Sequence, residues 1–155
     1  MRSRANINLE LSKEEKGSLR KHKVKISEIL DYSPDEIEVL LNVSDSRAKE
    51  IFALADFQQV PSIGIKFAKD LMSMGFYSMD DLQGKSGAEL TDLHEKHIGY
   101  KTDPCVEDQF RLIAYFSSTK DFSKNWWDFT AERKAYRAEF GYPKDRPKKS
   151  WTEVL

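Results

Sequence analysis

Apolar residues recur at intervals of three and four along most of the chain and seldom alternate, a period that predicts helices and leaves little room for strands. Ile37, Leu40 and Leu41 form one apolar face after Pro34. Ser33 with Glu36 three positions on predicts an N-cap and capping box, and Asn42 a left-handed stop. Ser44 predicts the next cap, ahead of Ala48, Ile51, Phe52 and Ala55. Pro61 and Gly64 interrupt the pattern, and Phe67, Ala68, Leu71 and Met72 resume it until Gly75. Ser78 opens a single turn that closes at Gly84, and Ser86 with Glu89 caps a helix ending at Gly99. Asp103 and Pro104 start "CVEDQFRLIAYFSS", in which Val106, Phe110, Ile113, Ala114 and Phe116 reach far enough round the helix to predict central burial. A last helix is expected from the Thr130 cap to Gly141. With connections only a few residues long, the pattern predicts an all-α fold of packed helical hairpins.

This pattern divides the chain into a compact core over 26–118, a basic segment over 1–25 and an extension over 119–155. The extension carries "NWWDF", and Trp126, Trp127 and Phe129 are expected to fold back on the core, because each large aromatic gains several kcal/mol, roughly, by leaving water. The chain has 155 residues, enough for one domain with a real core. Its net charge of -1 excludes a wholly basic nucleic-acid binder and requires any such surface to be local. The charge is uneven. Residues 1–25 hold Arg2, Arg4, Lys13, Lys16, Arg20, Lys21, Lys23 and Lys25 against few acids, whereas residues 28–110 are strongly acidic, and "KDRPKK" returns basic charge at 144–149. Such terminal lysines are expected to form a solvated, partly disordered tail rather than a phosphate-binding arm. The single cysteine, the lack of an apolar leader and the lack of a long apolar run predict a reduced, soluble, cytoplasmic protein with no membrane span.

Two segments echo each other. "NVSDSRAKEI" and "SIGIKFAKDL" share an apolar residue in the turn, an alanine five positions on, a lysine after the alanine and an aliphatic residue two further. Ala48 and Ala68 would let the second helix of each hairpin approach the first closely. The stretch "VPSIGIKFAKDL" resembles a helix-hairpin-helix motif, whose usual turn is glycine, apolar residue, glycine. Together with "SMDDLQGKSGAEL", "DPCVEDQFRLIAYF" and "KNWWDFTAERKAYR" it resembles the small bacterial pathogenicity-locus family, some members of which are labelled mitomycin resistance proteins. The resemblance implies a tandem helix-hairpin-helix, SAM-like bundle that grips DNA backbone phosphate without reading bases. It implies amide donors at Ile63, Gly64 and Ile65 beside Ser62, with charge from Lys66 and Lys69; Arg47 and Lys49 are expected to add to this site if they share its face. Such a site has a physical basis, since a glycine admits the phosphate oxygen and the helix dipole favours an anion. Ser62 stands where the motif has its first glycine, and the "NVS" turn has none.

Other chemistry is set aside. Cys105 lies in the first turn of a helix, where the dipole lowers a thiol pKa, but Asp103, Glu107 and Asp108 oppose that and no histidine is near in sequence, so a buried structural cysteine is expected. His94 and His97 lack a third ligand at metal-binding spacing. Pairs such as Asp80 with Asp81 and Glu107 with Asp108 are adjacent and point to different helix faces, making poor acid–base or two-metal pairs. The expectation is a non-catalytic DNA-binding module with no cofactor and no metal; the alternative is a protein-interaction adaptor that uses the hairpins and the tryptophan extension.

Overall fold

The computed structural model describes residues 7–155, so Arg2 and Arg4 lie outside the described residues. The described chain is helical, with no strand beyond an isolated parallel bridge between Lys101 and Ser150. Two compact units share it, Met1–Asp81 and Leu82–Leu155.

The first unit holds α1 (Lys13–Lys21), a 3-10 turn at Ile26–Asp31, α2 (Pro34–Leu41), α3 (Asp45–Gln58) and α4 (Ile65–Ser73). The caps of α2 and α3 fall where the pattern placed them. Ser33 and Glu36 close a reciprocal capping box, Asn42 ends α2 at φ 54°, and the Ser44 hydroxyl accepts from the Arg47 amide at 3.1 Å. Ile37, Leu41, Ala48, Ile51, Leu54, Phe57, Phe67, Ala68 and Leu71 form the core, and the two alanines are fully buried. Asp56, at the end of α3, accepts from the Met79 amide at 2.6 Å and from Gln59 Nε2 at 2.8 Å, which ties that helix end to the turn after α4.

The basic segment is not a loose tail over its described part. Ile7, Leu9 and Leu19 are buried, and the Asn8 backbone pairs with the Gln58 side chain in both directions, at 3.3 Å and 2.6 Å. Ser12 and Glu15 form a capping box at the start of α1, a signal present in the sequence as "SKEE" but masked by the surrounding lysines. Charged residues cover the outer side of this helix while Leu19 and Glu15 fix the inner one.

The second unit contains α5 (Gly87–Ile98), α6 (Pro104–Thr119), a 3-10 turn at Trp126–Phe129, α7 (Thr130–Phe140) and the single-turn α8 (Trp151–Val154). Helices α5 and α6 cross closely because Gly87 has no side chain: a Cβ there would lie 2.5 Å from the Arg111 Cα. Helix α6 is central, with Phe110, Leu112, Ile113 and Phe116 buried, although Val106 and Ala114 are only half-buried. The 119–155 segment lies against α6, with Phe122 edge-on to Phe116 at 4.9 Å and Phe129 on Tyr115 at 5.5 Å. One expectation is corrected here. Phe129 is buried, but Trp126 is half-buried and Trp127 is 55% exposed, since a 3-10 turn can point only part of its perimeter inward.

Candidate functional site

The connection between α3 and α4 is the segment that sequence marks for chemistry. Ser62 sits in the left-handed region at φ 64°, so the missing glycine has not prevented the turn, and its hydroxyl donates to the Pro61 carbonyl. Ile63 is fully buried and its amide donates to the Val60 carbonyl at 3.2 Å. That amide, expected among the outward donors, closes the turn instead, because an apolar anchor in the core brings its own backbone inward.

Gly64 follows as the N-cap of α4, with φ -105° and ψ -175°. This is extended backbone that any residue adopts, and an added Cβ would meet nothing within 4 Å. Neither conformation nor internal packing therefore requires glycine at 64. No side chain caps this helix start, and the Gly64, Ile65 and Lys66 amides meet no acceptor among the described residues. Free amides at the start of a nine-residue helix make an electropositive spot. The first turn of α4 contains no acid to neutralise it.

The cations divide into two groups. Lys66 is 90% exposed, with Nζ a loose 3.7 Å from Asp70. Lys69 Nζ lies 2.6 Å from a Glu10 carboxylate oxygen. Arg47, by contrast, is fixed in the fold: Nε and Nη2 both reach the Glu15 carboxylate at 2.9 Å, and Nη2 also donates to the Glu10 carbonyl at 3.0 Å. The Arg47 guanidinium beside Glu15 holds that carboxyl below its usual range despite the opposing effect of burial. Lys49 pairs with Asp45 at 3.1 Å along α3. The residues that meet an incoming anion with least to give up are thus Gly64, Ile65 and Lys66, then Lys69.

The second unit holds a charged cluster that the sequence does not announce. Glu107 and Asp108 are almost wholly buried on α6. Glu107 accepts from Arg111 at 2.9 Å and from Arg137 at 3.0 Å, while Asp108 accepts from Arg133 at 2.6 Å and from the Thr130 hydroxyl at 2.8 Å. Glu95 on α5 holds Arg146 through both carboxylate oxygens, at 2.8 Å and 3.0 Å. The Arg146 guanidinium stacks over Tyr142 at 3.6 Å. Arg137 also reaches Asp92 at 2.9 Å; burial raises the Asp92 carboxyl, and Arg137 pulls it partly back. Each buried carboxylate here faces a guanidinium, so the cluster is a structural tie from α5 and α6 to α7 and the segment after it.

The remaining candidates stay apart. Cys105 is exposed, against the expectation of burial, because the start of α6 turns Glu107 and Asp108 inward in its place. Partial desolvation of the thiol and then Asp103 push its pKa up, the wrong direction for a nucleophile. His94 is buried against Phe110 at 5.2 Å while His97 is exposed, so the two do not share a face. Carboxylates of Asp35, Glu38 and Asp45 approach one another on the surface of the first unit, where Asp45 already pairs with Lys49. An open groove of about 450 Å³ lies between the end of α1 and α2, lined by His22, Tyr32 and Val39 among others. Among the described residues, no helix is long and apolar enough to cross a membrane.

Comparison with known proteins identifies a family. The family model described as "Pathogenicity locus" (Cdd1) matches residues 50–135, from within α3 to within α7, and so includes the Gly64 turn and most of the charged cluster. No curated protein and no solved structure matches. The match covers more than half of the chain and agrees with the resemblance read from its motifs, and on that ground the chain belongs to the pathogenicity locus family.

Proposed function

We propose that α3, the Val60–Gly64 turn and α4 act as a helix-hairpin-helix element that binds the DNA backbone with little sequence preference. The observation that carries this reading is Gly64. Its backbone is ordinary and its Cβ direction is empty, so the residue leaves space for something outside the chain. The amides of Gly64, Ile65 and Lys66 would donate to one phosphate, with the Lys66 ammonium beside it and Lys69 able to exchange Glu10 for a second phosphate oxygen. Contacts of this kind position a duplex and carry no base information. The role is binding rather than catalysis, since no nucleophile, base and orienting group converge near the turn.

Fluorescence anisotropy with duplex and single-stranded DNA over a salt series tests it. The expected result is modest affinity that falls steeply with salt, and a loss of about tenfold or more for Gly64→Val combined with Lys66→Glu in a folded protein. Absence of binding at low salt, or indifference to those changes, overturns it.

A second reading, a protein-docking adaptor, draws on two exposed apolar side chains: Val39 of α2, 82% exposed, and Trp127, 55% exposed. A partner retained by the protein after nuclease treatment of the lysate, and lost on Trp127→Ala, would favour it over the DNA reading.

A further inference from the structure

We infer that the outer face of α1 is a docking surface for duplex DNA, forming a track with the Gly64 turn. The inference rests on the reading that the first unit binds DNA, and it names where most of the binding charge lies. Lys13, Lys16 and Arg20 are exposed and recur at intervals of three and four, so they share one side of α1, next to the stripe that buries Glu15 and Leu19. Lys21, Lys23 and Lys25 continue the basic surface beyond the helix, and all three are exposed.

These six cations differ from the four around α3 and α4. Arg47, Lys49, Lys66 and Lys69 each have a carboxylate within 4.0 Å. None of the six has an ion pair among the described residues, so a phosphate meeting them displaces only water and mobile ions. Glu15, the acid that could neutralise them from the same helix, is turned inward onto Arg47, which leaves Glu14 as the exposed acid of α1. Gly17 places no side chain on the outer surface between Lys13 and Lys21.

The track is contiguous with the turn through Glu10. That carboxylate sits on Lys69 and precedes Lys13 by three residues, a chain distance of at most about 10 Å. From Lys13 to Arg20 the helix rises about another 10 Å, over which a duplex presents roughly six phosphate charges. A lipid surface or an acidic protein would also meet positive charge here; duplex DNA is favoured because the neighbouring free amides at Gly64 suit a discrete phosphate oxygen.

The test is the salt dependence of binding of the full chain to a short mixed-sequence duplex. Contacts at Lys66 and Lys69 alone give a slope of log affinity against log salt near about -2, whereas engagement of the α1 face raises its magnitude to about 4 or more. The double variant Lys16→Glu, Arg20→Glu is expected to lose more than about tenfold in affinity at low salt and about two from the slope, with its helical circular dichroism unchanged. A second pair, Lys21→Glu with Lys23→Glu, guards against a local folding defect in the first. Parental affinity and slope in both pairs overturn the inference while leaving the hairpin reading intact. Loss in the α1 pairs, with Gly64→Val and Lys66→Glu silent, supports the α1 face as the DNA-docking surface but overturns both the hairpin reading and the extension of the track to the Gly64 turn. No duplex binding by the parent, or binding only to phosphatidylserine vesicles, overturns both.

Discussion

At Gly64 the structure separates what the fold needs from what a ligand would need. The residue has extended backbone and open space around its missing side chain, so Gly64→Ala is expected to change stability by no more than about 0.5 kcal/mol in urea denaturation. The same variant should weaken duplex binding severalfold by anisotropy, because its methyl group occupies the approach to the amides. Ser62 shows the reverse relation. The sequence marks it as a defect in the turn, yet it adopts the left-handed conformation and leaves the chain path intact. Cys105 and Trp127 are more exposed than their residue types predict for one reason: residue type sets the gain from burial, but which side of a helix or turn faces inward depends on neighbours distant in sequence.

At the scale of elements, capping and stop signals were legible because each depends on contacts within four residues. The Ser33, Ser44 and Ser86 caps and the left-handed Asn42 and Gly99 stops are where local chemistry placed them. Helix α1 has the same kind of capping box, and its single fully apolar inner residue, Leu19, is what made it hard to see as a packed helix. The α5–α6 crossing is a tertiary feature that depends on one glycine. Gly87→Ala would drive a Cβ into the Arg111 backbone and is expected to cost about 1–3 kcal/mol, measured as a lowered urea midpoint. The carboxylates of α6 depend on α7 in the same way. Glu107→Ala leaves Arg111 and Arg137 facing each other without their shared anion, with an expected loss of about 3–5 kcal/mol in the same measurement.

Across each unit as a whole, charge ties segments far apart in the chain, and this predicts a pH dependence. In the first unit the Glu15 carboxyl has a lowered pKa, caused first by its hydrogen bonds from Arg47. A carboxyl lowered by folding contributes its full stability above the unfolded pKa, about 4.3, and loses it as pH falls through the folded value. Glu15→Gln should therefore cost about 1–2 kcal/mol at neutral pH and show a flatter loss of stability below about pH 4, as measured by urea midpoints across pH. In the second unit Asp92 has the opposite sign. Burial raises its carboxyl, so the cost of its charged form is relieved as the pH falls through the folded value. By itself the sequence determined the helical class, the caps of α2, α3 and α5, the turn with its glycine and the family, because periodicity and short-range hydrogen bonding are written in adjacent residues; the expected Thr130 cap is instead the first residue of α7, its hydroxyl drawn away to Asp108. Only the tertiary structure decided that Arg47 is held by Glu15, that the Ile63 amide is closed while those of Gly64 and Ile65 stay open, and that Glu107 and Asp108 are enclosed by arginines. Those outcomes turn on which charges meet across tens of residues, and the helical period that places a side chain on one face of its own helix does not specify what lies opposite.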